Sequence, residues 1–200
     1  MPKIITLTHQ KGGVGKSTLA VNLANSFKEN VTVGIMDVDP QGTIMQLSKM
    51  IKGIDIIPYT DNFSGLPQDV LFIDTPPYLT NNLPDIINAS DLVLIPTKAG
   101  IADLMAIRAT ISLIKKVQEQ NRKIKAAVVF NMIKHGTTLT EEVREQVEAF
   151  GIPILKSLVS DRVNFTRSLA LENGIYGIGD RKAEKEIDQL TKEILLLLNK

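Results

Sequence analysis

The densest chemistry in the chain lies in His9-Gln10-Lys11-Gly12-Gly13-Val14-Gly15-Lys16-Ser17-Thr18, between a short apolar run ending at Thr8 and a helical pattern that begins Leu19-Ala20-Val21-Asn22-Leu23. A strand, a glycine turn and a helix in that order make a phosphate cradle. The glycines let backbone N–H groups converge on phosphate oxygens, and the helix adds the positive end of its dipole. Lys16 would then reach the β- and γ-phosphates, and the Ser17 hydroxyl would ligate Mg²⁺. The pattern departs from the general G-x-x-x-x-G-K-[ST] loop in two ways: Gln10 stands at the first glycine position, and an additional lysine, Lys11, precedes the glycine pair. A loop can wrap its own phosphates with its backbone and Lys16. A further cation at the rim is best placed to serve the phosphates of another subunit's nucleotide, and a solvated surface charge is the bland alternative.

Other candidates are single residues with two readings each. Asp74 ends an apolar run and is placed to bind a metal-ligated water. Asp37 and Asp39 precede Pro40-Gln41-Gly42 and could act on a nucleophile or simply cap a turn. Asn131 could close a turn or contact a base, since ligands of doubly wound sheets bind at the carboxyl ends of strands. His9 and His135 have no Ser, Asp or second His set near them in a recognisable pattern and are read as structural or solvent-facing.

The elements that must position these residues follow from hydrophobic patterning. Short runs rich in Val and Ile predict strands over 3–8, 31–37, 54–58, 70–74, 91–96, 124–131 and 153–159, and helical periodicity predicts helices over 16–28, 42–51, 100–120, 138–150, 161–172 and 181–199. Gly151 is a plausible C-cap with Pro153 beyond it, and the turn formers in 60–68 leave that crossover short or irregular. The alternation predicts a single α/β domain over 1–200: a doubly wound, mostly parallel sheet with helices on both faces, in the three-layer manner of P-loop NTPases. The absence of Cys excludes disulfide scaffolds, Cys-ligated metals and cysteine nucleophiles. The net charge of +1 means that any nucleic-acid attraction must come from a local patch. No run is long enough for a membrane span, and the last helix mixes both charge signs on its polar face, which fits core packing better than lying on a membrane.

Lys-Gly-Gly-Val-Gly-Lys-Ser-Thr resembles the deviant Walker A motif, with its signature lysine, of the family containing ParA/Soj partition ATPases and MinD division-site ATPases. The likeness covers the entire chain. Met36-Asp37-Val38-Asp39-Pro40-Gln41-Gly42 is similar to the switch I segment, Phe72-Ile73-Asp74-Thr75-Pro76-Pro77 to Walker B and switch II, Val128-Val129-Phe130-Asn131 to the strand ending in the adenine-reading Asn, and Ser160-Asp161-Arg162-Val163 to the late adenine-side loop. The resemblance implies an ATPase using ATP and Mg²⁺, in which Lys11, Lys16 and Asp39 are catalytic and Asp39 orients the attacking water. It further implies that Gly12, Gly13, Val14, Gly15, Thr18 and Asn131 complete the nucleotide site, and that Ser17, Asp39 and Asp74 stand on the metal side.

It also implies a biology: a short ParA type without an N-terminal helix-turn-helix, cytoplasmic and nucleoid-associated. ATP would be sandwiched in a homodimer that holds nonspecific DNA, no membrane would be involved, and a ParB-like centromere-binding protein would stimulate hydrolysis to drive plasmid or chromosome partition. Positioning of a non-DNA cargo such as a microcompartment or chemoreceptor cluster, a MinD-like membrane switch and a ligase of the dethiobiotin-synthetase type are the alternatives. Lys115, Lys116, Arg122 and Lys123, with Lys125 and Lys134, form one cationic stretch that could engage phosphates; Arg162 and Arg167 form another.

Overall fold

The computed structural model describes residues 1–134 and 139–199. Seven strands alternate with helices: β1 (Lys3–Leu7), α1 (Lys16–Phe27), β2 (Val33–Asp37), α2 (Thr43–Gln46), β3 (Asp55–Ile57), β4 (Val70–Asp74), α3 (Leu83–Ala89), β5 (Leu92–Thr97), α4 (Ile101–Gln120), β6 (Lys125–Ile133), α5 (Leu139–Glu148), β7 (Ile154–Ser160), α6 (Val163–Ser168) and α7 (Arg181–Leu198). The strands form one all-parallel sheet in the order β3-β2-β4-β1-β5-β6-β7. All seven strands fall where the apolar runs predicted them, within two residues at each end. The inner strands β2, β4 and β5 are buried at every position, as a sheet covered on both faces requires.

Alternate residues of one strand serve opposite layers. In β5, Leu92 and Leu94 join α1 and α7 in one core that includes Leu19, Leu23, Ile187 and Ile194. Val93 and Ile95 face Ile107, Ile111 and Ile114 of α4 in the other. A T-shaped pair, Phe27 on Phe72 with centroids 5.4 Å apart, fastens the last turn of α1 to β4. The last helix is therefore a core helix: Ile187, Leu190 and Ile194 are fully buried, each worth about 1.5–3 kcal/mol of transfer free energy. No helix among the described residues is long and apolar enough to cross a membrane.

The helices are less faithful to the sequence reading. Residues 42–51 shrink to α2 followed by turns. Residues 161–172 shrink to α6, with a 3-10 turn at Gly174–Gly177 beyond it. Residues 60–68 hold a 3-10 turn at Phe63–Gly65, and α3 lies where the sequence reading places no element. Pro84 is tolerated there because it lies in the first turn, where its missing N–H costs nothing. Gly151 takes the left-handed conformation (φ 66°) expected of a helix stop.

β7 is an edge strand, and α7 seals it with carboxylates. Glu193 accepts from the Lys156 and Ser157 N–H groups at 2.8 and 2.7 Å and from the Ser157 hydroxyl, while Glu186 accepts from the Ser160 N–H and hydroxyl. From the far side, Lys125 Nζ donates to the Leu197 carbonyl at 2.8 Å and caps the α7 C-terminus. Replacing Glu193 with Ala strands those β7 donors and should cost about 1–3 kcal/mol, read as a lower midpoint in chemical denaturation. An unchanged midpoint would contradict the sealing role.

Candidate functional site

The topology brings the chemistry-bearing residues to one edge. Register pairs Leu7 of β1 with Asp74 of β4, and Asp74 with Asp37 of β2, so the loop after β1 and both carboxylates leave the sheet side by side. That loop turns through Gly13 (φ 70°) and Gly15 (φ 87°), conformations that only glycine adopts without strain. At Gly15 space decides as well, since a Cβ would stand 2.3 Å from Asn131 Nδ2. Helix α1 starts at the next residue with no side-chain cap and no acid in its first turn. Its leading N–H groups are therefore left for an anion. Lys16 is buried beside them. Burial lowers its pKa, and the Asp74 and Asp39 carboxylates oppose that shift.

Ser17 Oγ donates to Asp74 Oδ2 at 2.5 Å, while Asp74 Oδ1 is buried without a partner. Burial, reinforced by the Asp37 charge and opposed first by the Ser17 hydroxyl, pushes the Asp74 pKa up to about 7. A hydroxyl beside a carboxylate that has one orphaned oxygen suits Mg²⁺ bound through Ser17, with Asp74 accepting from a metal-bound water. The described residues contain no cluster of three or more His, Cys, Asp or Glu that could hold a metal unaided. Mg²⁺ commonly relies on substrate phosphates and waters in this way.

Asp37 is spent on structure: Oδ1 accepts from the Asp39 N–H at 3.1 Å and Oδ2 from the Ile44 and Met45 N–H groups at 2.9 and 3.1 Å. It thereby ties the start of α2 to the sheet edge. Asp39 Oδ1 accepts from the Gln41 N–H at 3.0 Å in a turn of its own, and its charge reaches both Lys16 and Asp74. Of the two roles weighed for Asp39 in the sequence, the turn-forming one is present in this loop.

Beyond the phosphate loop lies a cleft walled by Thr18, Leu19, Met132, Asp161, Arg162 and Phe165. Met132 has a positive φ (55°), the one non-glycine to do so among the described residues. Asn131 stands between cleft and loop, fully committed on one side: its Nδ2 donates to the Val14 carbonyl at 2.7 Å. Arg162 is held by Glu186 at 2.9 Å. Arg167 is exposed at the end of α6.

Lys11 is tied to α4. Its Nζ lies 2.7 Å from Asp103 Oδ1 in the first turn of α4, and its N–H donates to His9 Nδ1 at 3.0 Å. Asp103 was missed in the sequence because one acid near a helix start is ordinary. His9 is fully buried and its pKa falls to about 4, chiefly by burial and then by the Lys16 charge, so it is neutral at pH 7. His135 lies outside the described residues. Lys115, Lys116, Arg122 and Lys123 are exposed at the far end of α4 and just past it. Lys115 and Lys116 stand about 18–20 Å along α4 from Asp103, and Lys115 lies beside Gly151, before β7, whereas Arg162 and Arg167 follow that strand. The two cationic groups are therefore separate surfaces.

Residues 5–174 match the family described as CbiA, the CobQ/CobB/MinD/ParA nucleotide binding domain. The Maintenance of carboxysome distribution protein A of Halothiobacillus neapolitanus is 26% identical over 96% of this chain and 95% of its own. The sporulation initiation inhibitor protein Soj of Bacillus subtilis is 26% identical over 97% and 98%. Among solved structures, a plasmid partition protein of Borrelia burgdorferi bound to AMPPNP superposes with a TM-score of 0.78 at 22% identity, over 98% of this chain and 99% of that one.

The site makes a signed pH prediction. With its folded pKa raised from 3.8 to about 7, protonated Asp74 stabilises the nucleotide-free fold at low pH, and that contribution is lost as pH rises through about 7. Binding of Mg²⁺ with ATP needs the carboxylate, so it should release a proton below pH 7, beyond what the nucleotide itself releases. Calorimetry in buffers of different ionisation enthalpy measures that excess. It should vanish in Asp74→Asn, and an equal proton count in the two proteins would contradict the assignment.

Proposed function

Because the chain belongs to the CobQ/CobB/MinD/ParA nucleotide-binding family and is an ATPase using ATP and Mg²⁺, we propose that it is a ParA-type positioning ATPase, one whose ATP-bound homodimer holds nonspecific DNA and lets go on hydrolysis. The observation that carries the proposal is Lys11, a second loop lysine whose ammonium is held by Asp103 of α4 rather than by any group of the phosphate loop. In the dimer it reaches the partner subunit's phosphates, so ATP is the bridge between two copies. Lys16 and the N–H groups at the start of α1 hold the phosphates in cis. Ser17 and Asp74 would hold Mg²⁺, which would supply positive charge to the phosphates during transfer. Asp39 orients the attacking water, and Asn131 keeps the loop fixed against the base cleft.

The 37–42 and 74–78 segments lie at the same edge and are the parts whose order differs between ATP and ADP states. Arg167 and the exposed cations of α4 are the DNA candidates, the nucleoid the expected location, and a ParB-like protein the kind of partner that stimulates turnover. A protein assembly is favoured as cargo by two relatives named for carboxysome distribution, one aligned over nearly the whole of both chains. Partition of a plasmid or chromosome is the second reading, supported by the Soj and ParA relatives.

The test uses Asp39→Ala, which should bind ATP without turning it over and so accumulate as dimer. At stated salt, that variant should bind a sequence-unrelated DNA duplex with ATP and not with ADP. Absence of DNA binding while ATP is bound would overturn the DNA tether, and normal turnover would overturn the role of Asp39.

A further inference from the structure

We propose that Asp103 is a positioning residue for the ATPase reaction: it parks Lys11 against the chain's own α4 and so sets how readily that lysine passes to a second copy's nucleotide. The inference rests on the trans role of Lys11 proposed above. The pair is asymmetric. The Lys11 side chain is 36% exposed and that of Asp103 only 7%, so the ammonium can swing out while the carboxylate stays where it is. Removing one partner of such a pair leaves a buried charge uncompensated, which penalises casual departure. A triphosphate, with more negative charge and more acceptor oxygens than one carboxylate, can still win the lysine.

The surroundings suit a side chain with two resting places. The backbone beneath it is fixed from two directions: the Gln10 N–H donates to Thr110 Oγ1 of α4 at 3.2 Å, and the Lys11 N–H donates to His9 Nδ1. Only the lysine side chain needs to move. Asp103 cannot follow it, being the third residue of α4, with its own N–H on the Gly100 carbonyl at 3.0 Å and the helix dipole favouring its charge. The carboxylate lies back over the helix start, where a Cβ on Gly100 would stand 2.7 Å from Oδ2. A donor also waits in the same turn. With His9 Nδ1 accepting, the neutral ring carries its proton on Nε2, which is buried and unpartnered. The Asp103 charge acts on that ring.

Sedimentation analysis of dimer formation with Mg²⁺ and ATP, in the Asp39→Ala background, tests the idea. Asp103→Asn removes the charge that parks the lysine and should tighten the ATP dimer on the order of tenfold, leaving the ADP state monomeric and the monomer's melting temperature unchanged. Gly100→Ala, at an ordinary extended backbone (φ −135°), crowds the carboxylate and should shift dimerisation the same way, which keeps the test open if Asp103→Asn folds poorly. A dimer constant that is unchanged or weakened in both variants overturns the parking role. Lys11→Ala separates this from its premise: ATP dimers of normal affinity in that variant overturn the trans role itself.

Discussion

A loop that points its N–H groups at an absent anion must be held open by something other than that anion, and every part of this site bears on that constraint. Converging dipoles and a buried ammonium repel one another until phosphate arrives. Three hydrogen bonds hold the cradle meanwhile: Asn131 to the Val14 carbonyl, Ser17 to Asp74, and the Gln10 N–H to Thr110. Each anchor sits on a different element, β6, β4 and α4, so the sheet order itself is what preorganises the cradle. Preorganised donors need not rearrange at the moment of reaction, which is where electrostatic catalysis gains its advantage.

The same constraint explains how charge is distributed around the site. Asp74 leans toward its neutral form while Lys16 is buried near it, and both shifts come chiefly from desolvation rather than from the pair. A site in that condition is short of negative charge in one place and of positive charge in another. Mg²⁺ with a nucleotide supplies both. Lys11 is the exception, since its charge is already matched by Asp103 inside the monomer. On the trans role proposed for it, recruiting Lys11 costs a salt bridge, and dimer formation would be conditional on a ligand able to replace that bridge.

The strands were legible because a buried parallel strand has little freedom in composition: Val70-Leu71-Phe72-Ile73 and Leu92-Val93-Leu94-Ile95 have no polar position to confuse the reading. The phosphate loop was legible for a similar reason, as Gly15 has neither the φ nor the space for any other residue. Helix α3 was not, because Pro84 and the Asn pair before it are equally at home in a loop, and burial of Leu83, Ile86 and Ile87 decides the matter only in three dimensions. Asp103 and the bond from Asn131 to Val14 were also hidden. Their partners lie 92 and 117 residues away in sequence, and no local spacing encodes a contact of that range. Lys125 shows the opposite error: counted with a cationic stretch, it is in fact the cap of α7.

Mixing two inactive variants tests most directly whether Lys11 acts across an interface. Lys11→Ala lacks the lysine it would lend, and Asp39→Ala lacks the carboxylate it needs at home. A mixed dimer holds one complete site, in which the first variant's Asp39 meets the second variant's Lys11. ATP turnover that is absent from each variant alone and returns on mixing is the expected result. Mixtures as inactive as their components, with both variants binding ATP, would contradict action in trans.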